Sequence, residues 1–196
     1  MEWRVTSLWH KASTTTNTSR EVRGLIPVPW RYVNTWYCDG CGLCCREFDV
    51  VLRFDEWLRI IRRYGVGVTR AGLNKFYLRR KGDGSCIFLY EAFGRQLCGL
   101  QDMKPIACKL WPFKIYTRPK YGRAREAVFN YEGQRLFVYI DPSCPRIVWG
   151  EPSQTLIYKI IPEFIEIAMG VRKKQFYSTS RWLYNLSPKL KPRRLI

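Results

Sequence analysis

The stretch Cys38-Asp39-Gly40-Cys41-Gly42-Leu43-Cys44-Cys45 decides how this chain folds. Three cysteines separated by pairs of residues let the backbone curl around one metal centre. Gly40 and Gly42 supply the positive φ and the close approach that such a curl needs. The same interval opens the bacterial ferredoxin run, in which successive thiolates each hold an iron of one cubane. A single Zn2+ can instead take two to four of these thiolates in a tetrahedron. Cys38, Cys41 and Cys44 are the first three expected ligands, and a fourth from Cys45, Cys98 or Cys108 would tie this loop to a later one. Cys86 and Cys144 complete the candidate metal ligands. Cys144 ranks last, because it lies far beyond Cys108 and past a predicted hairpin.

Eight cysteines in a chain without an export signal read as metal ligands or reactive thiols, not as a disulfide framework. Intracellular proteins of hyperthermophiles are the exception that keeps disulfides open. Eight thiols permit one cubane with four spare cysteines, two tetrathiolate zincs, or one metal centre plus a disulfide. A [4Fe-4S] cluster is the preferred cofactor, with Zn2+ as the other. Structural sites of this kind are worth on the order of 10 kcal/mol, comparable with the net stability of about 5–15 kcal/mol of a whole domain. The centre is therefore expected to organise the fold.

The remainder of the chain is consistent with one domain and an appendage. It has 196 residues, 46% apolar and 15% aromatic, which excludes wholesale disorder, collagen and coiled coil. No stretch of roughly 18 apolar residues survives without a charge, so no bilayer span is expected. The start, Met1-Glu2-Trp3-Arg4, lacks a basic region followed by an apolar run, and the expected location is the cytoplasm. Thirty-four Lys and Arg against 16 Asp and Glu leave a net charge of +18, more than solubility asks. Such an excess favours polyanionic partners.

Three segments are expected: an N-terminal arm over 1–35, a cysteine-cluster domain over 36–170 and a basic tail over 171–196. Residues 11–19 are polar and without pattern, and read as a loop. Phe48, Val50, Val51 and Leu52 predict a strand. Trp57, Ile60, Ile61 and Tyr64 then recur at helical spacing, with acids early, bases late and Gly65 as the stop. Ala127–Tyr131 and Leu136–Ile140 flank Glu132-Gly133-Gln134-Arg135 and predict a β-hairpin. Ser153 is a good N-cap for a C-terminal helix with Ile157, Ile160, Ile161, Phe164, Ala168 and Val171 on one face, kinked or divided at Pro162. The fold class is α+β: a small irregular domain organised by a metal centre, with a β-hairpin, a C-terminal helix and extended basic terminal segments, of which the tail after Gly170 is not expected to pack into the core.

The later cysteines make the pattern more specific. Cys86-Ile87-Phe88-Leu89, Cys98, Lys104-Pro105, Cys108, Trp111-Pro112-Phe113 and Cys144-Pro145 follow the opening motif in that order. Over roughly residues 36–150 the chain resembles the CxxCxxCC family of cysteine-cluster proteins, the YkgJ-like group described as zinc- or iron-chelating domains. The resemblance implies a metal site built from these cysteines. A related cluster in a flagellin lysine methylase, held to bind [4Fe-4S], points the same way. Two positions depart from the family. Lys104 stands where an Arg is usual, replacing a planar fork by a point charge. Arg146 stands where Cys-Pro-Gly has its glycine.

Nothing else marks an enzyme. The sole histidine, His10, lies in the arm and reads as a surface residue, and no phosphate-binding glycine motif occurs. Gly82-Asp83-Gly84 reads as a turn before a Cys86 strand. Asp49, Asp55, Glu56 and Asp102 read as caps or ion pairs. Basic residues interleaved with aromatics suit nucleic acid, through phosphate neutralisation and base stacking. Arg172, Lys173, Lys174, Arg181, Trp182, Lys189, Lys191, Arg193 and Arg194 have this character and are the expected contacts. The tail holds eight basic and no acidic residues. Trp30-Arg31-Tyr32 and the segment Tyr116–Arg123 share it or else contribute core aromatics. An anionic membrane surface would satisfy the same charge, but Pro188 and Pro192 interrupt any long amphipathic helix. The expected function is a metal-organised basic protein on nucleic acid, structured RNA or a ribonucleoprotein such as the ribosome. The alternative is an iron–sulfur redox or modifying enzyme.

Overall fold

A computed structural model describes residues 9–11, 25–101 and 103–178. In chain order its strands and helices are β1 (Trp9–Lys11), β2 (Val28–Pro29), β3 (Val33–Trp36), α1 (Leu43–Glu47), β4 (Phe48–Leu52), α2 (Phe54–Tyr64), β5 (Thr69–Ala71), β6 (Phe76–Leu78), β7 (Leu89–Ala92) and β8 (Arg95–Cys98). There follow α3 (Ile106–Leu110), β9 (Phe113–Tyr116), α4 (Ala124–Ala127), β10 (Val128–Tyr131), β11 (Gln134–Ile140), β12 (Ile147–Trp149) and α5 (Ile161–Ala168). The fold is α+β, as expected. No helix among the described residues is long and apolar enough to cross a membrane.

The predicted strand and helix at 48–64 form as β4 and α2. Glu56 does more than cap. Its Oε2 accepts the Arg53 N–H at 3.0 Å, closing the start of α2, and Gly65, at φ 80°, donates its N–H to the Ile61 carbonyl at 2.8 Å to end it. The predicted hairpin forms between β10 and β11 with a tighter turn than expected. Tyr131 pairs with Gln134, leaving only Glu132 and Gly133 in the turn, both at positive φ. That geometry matches the right-handed twist of the strands.

Ser153 caps the C-terminal helix through its Oγ, which accepts the Leu156 N–H at 3.2 Å. Pro162 leaves its mark just upstream, where Leu156–Ile160 widens into π-type turns before regular α-helix begins at Ile161. A proline without an N–H breaks the i→i−4 ladder, and the widened turn absorbs the break.

Two cores result. In the first, β9, β10 and β2 pair with β11, and α5 packs on β9. Leu136 to Ile140 are all buried, the mark of a strand covered on both faces. Trp36 meets Phe113 and Phe164 edge-on at 5.5 and 5.4 Å. The second core lies between α2 and the sheet β1-β4-β6-β5, where Trp57 stacks on Phe76 at 4.2 Å. Residues 171–178, expected to leave the core at Gly170, instead lie on it. The buried Glu163 of α5 accepts the Phe176 and Tyr177 N–H groups at 2.9 and 2.7 Å and pairs with Arg172 at 2.9 Å.

Candidate metal centre

All eight cysteines line one cavity of about 80 Å3. The loop after β3 brings Cys38 and Cys41 to it. Gly40 and Gly42 both sit at φ 76°, and a side chain on Gly42 would come within 2.8 Å of the Gln96 Cβ, so both glycine properties expected of the curl are used. Asp39 fixes the loop. Its Oδ1 accepts the Cys41 N–H at 3.1 Å, its Oδ2 pairs with Arg146 at 2.5 Å, and its carbonyl accepts an Arg95 N–H at 3.0 Å. α1 then carries Cys44 and Cys45, whose sulfurs lie 4.0 Å apart.

The remaining four arrive from separate elements. Cys86 donates its N–H to the Cys45 carbonyl at 2.8 Å. It follows an Asp83 turn, as predicted, but makes only an isolated bridge with Arg80 in place of a strand. Cys98 ends β8 opposite Leu89. Cys108 rides on α3, whose first N–H, from Ile106, is accepted by Glu56 Oε1 at 2.7 Å. Cys144 follows the first core's sheet and accepts a hydrogen bond from Trp36 Nε1 at 3.3 Å. The far-downstream cysteine is thus brought back beside the opening motif, because β12 pairs with β3 and Ile147 stands opposite Trp36.

Burial sets the electrostatics. It pushes the Cys38 thiol up to about 11 and the Cys86 thiol up to about 12, and raises Cys98, Cys108 and Cys144 as well. The Cys44–Cys45 contact raises Cys44 and, with help from the positive charges of Lys104, Arg46 and Arg80, holds Cys45 down. Lys104 also acts on Cys38, Cys98 and Cys108. A largely apolar box of thiols with cations beside it suits a group that supplies its own positive charge and leaves a net negative complex. Arg80 fits this too. Its Nη2 is buried and has no hydrogen-bond partner among the described residues.

The donor set is soft and suits zinc, iron or an iron–sulfur centre. Among the described residues no three Cys, His, Asp or Glu side chains already surround one point at ligand spacing. The elements gather the sulfurs around one cavity without yet forming a ligand shell.

The other expected sites lie elsewhere. Arg172 is committed to Glu163 and Glu166, while Lys173 and Lys174 are exposed. Arg181, Trp182, Lys189, Lys191, Arg193 and Arg194 lie outside the described residues, as does Asp102. Trp30 is buried and donates to the Val128 carbonyl at 3.0 Å, and Tyr116, Tyr121 and Tyr139 contact one another, so these aromatics serve the core. Asp49 pairs with Arg70 and Arg80, and Asp55 with Arg53 and Arg59, in the structural roles expected for them. Sequence reasoning missed Trp36 as a partner of Cys144 and Gln175 on the cavity wall. The inward-facing acid Glu163 of the C-terminal helix was the one hint of Gln175, since it is what draws that segment in.

No curated protein and no solved structure matches the chain. A family does: residues 37–145, more than half of the chain, match CxxCxxCC, described as a candidate zinc- or iron-chelating domain. With its whole matched span built around the eight-cysteine cavity, the chain belongs to the CxxCxxCC family.

Proposed function

We propose that this protein is an iron–sulfur protein whose eight cysteines are the ligands and which carries its centre to a polyanionic partner, structured RNA. The convergence of all eight cysteines on one cavity carries the metal reading. Two features favour iron–sulfur over zinc. One is the ferredoxin interval of Cys38, Cys41 and Cys44. The other is space: a water takes roughly 10–15 Å3 on the same measure, so a cavity of about 80 Å3 holds several atoms. Such a centre supplies an electron-transfer couple or a rigid cross-link. The chain contributes the thiolates, a desolvated pocket and the cations Lys104 and Arg80 that offset the complex's negative charge.

The polyanion reading rests on the net charge of +18 and on the uncompensated basic run from Arg181 to Arg194. Anaerobic purification with iron, zinc and acid-labile sulfide analysis tests the centre. Brown protein with matched iron and sulfide is expected, and colourless protein with zinc alone overturns the iron assignment. Binding to a structured RNA should fall steeply with salt, and removing residues 179–196 should flatten that slope. No binding at low ionic strength overturns the partner.

A further inference from the structure

We infer that the eight cysteines form two adjacent four-thiolate centres, one held by Cys38, Cys41, Cys44 and Cys144 and the other by Cys45, Cys86, Cys98 and Cys108. The inference rests on the metal reading above and divides its ligands.

The division follows the packing. Cys144 belongs to the first core, and Cys38 and Cys44 pack against it. Cys86 belongs to the second core, and Cys45, Cys98 and Cys108 pack against that. The boundary falls between two consecutive residues of α1. Consecutive side chains on a helix diverge by about 100°, so Cys44 and Cys45 naturally address different neighbours.

Backbone ties repeat the grouping. On one side, β3 and β12 run antiparallel with Trp36 opposite Ile147, so the chain leaving at Cys38 passes the chain arriving from Cys144. The Asp39–Arg146 ion pair and the Trp36–Cys144 hydrogen bond clamp that junction. On the other side, Cys86 bonds to the Cys45 carbonyl, the Leu89 N–H bonds to the Cys86 carbonyl at 2.9 Å, and Leu89 pairs with Cys98. α3 delivers Cys108 against β4, the strand that directly continues from α1.

The first set also has a chemical precedent of general form. In two-cluster ferredoxins, three closely spaced cysteines are completed by a remote Cys-Pro from the other run. Cys144 is followed by Pro145 and stands in that position here. The second set draws on four separate segments and can close around one zinc or one cubane with equal ligand count.

The test reads metal content and thiol protection. Fully loaded wild-type protein, treated with iodoacetamide and mapped by mass spectrometry, should keep all eight cysteines unmodified. Cys38→Ser and Cys144→Ser should each lose about the same half of the bound metal, and the two together should lose no more. Cys98→Ser should lose the other half, and Cys144→Ser with Cys98→Ser nearly all of it. In Cys144→Ser the newly alkylated residues should be Cys38, Cys41 and Cys44, with Cys45, Cys86 and Cys108 still protected. The inference is overturned if Cys144→Ser keeps full metal, if Cys38→Ser and Cys98→Ser deplete the same centre, or if four cysteines react in the loaded wild type. The last measurement needs no variant to fold. A wild type that binds no metal under anaerobic reconstitution is a different failure, that of the metal reading itself.

Discussion

Glu56 joins two helices through one buried carboxylate, and replacing it by Gln measures what that junction contributes. One oxygen accepts the Arg53 N–H that starts α2, and the other accepts the Ile106 N–H that starts α3. Only 5% of the residue is exposed. Hydrogen bonds to a charged acceptor contribute about 1.5–3 kcal/mol each. Gln retains one oxygen but turns an NH2 toward the second amide, so one buried N–H faces a donor, and the expected loss is about 2–4 kcal/mol. For a chain of this size the melting temperature should fall by roughly 4–16 °C. Thermal and urea unfolding of the metal-free protein would measure it. Cys108, on the helix whose start is released, should also react faster with iodoacetamide. Glu91→Gln is the control, since that exposed carboxylate accepts a hydrogen bond from Gln96 at the surface and the change should stay within about 0.5 kcal/mol. A Glu56→Gln protein no less stable than the control, with Cys108 unchanged, would refute the reasoning.

Burial raises the Cys38 and Cys86 thiols in the folded state, so the metal-free fold holds those protons more tightly than the unfolded chain. That contribution is fully present below about pH 9 and is lost as pH climbs through about 11 and 12. Urea unfolding across this range should show a steeper fall in the wild type than in Cys86→Ala. Gly42→Ala should cost more than Gly94→Ala. Both pay roughly 1–2 kcal/mol for positive φ, but only at Gly42 does the new Cβ meet Gln96 and Arg46, and metal content should fall with stability there alone. Glu163→Gln should release the segment from Arg172 to Tyr177, seen as faster hydrogen exchange of the Phe176 and Tyr177 amides while those of β11 stay protected.

The elements legible in the sequence are those with a strong local signal. α2 has a periodic apolar face, a capping acid and a terminal glycine, and the β10–β11 hairpin has two β-rich runs around Glu132-Gly133. β3, β7, β8, β9 and β12 are three or four residues long, too short for alternation to show, and they exist because distant partners complete them. The cysteines announced themselves by spacing, but their grouping did not. Which core each thiol packs against depends on the β3–β12 and β7–β8 pairings, and no local pattern encodes those. Arg172 read as solvated because its anchor, Glu163, lies on another element.

The β3–β12 ladder acts as a clasp with a direction. Val33 faces Trp149 at its outer end and Trp36 faces Ile147 at its inner end, with the whole stretch from Tyr37 to Arg146 hanging beyond the inner pair. Tension applied through the two flanking segments therefore unzips the ladder from the outside, one pair at a time. Within this ladder the last pair to open is the one next to Cys38 and Cys144. The segment after Gly170 has no such buffer: Gln175 donates to the Lys109 carbonyl beside Cys108, so a pull on it reaches α3 and its thiol directly.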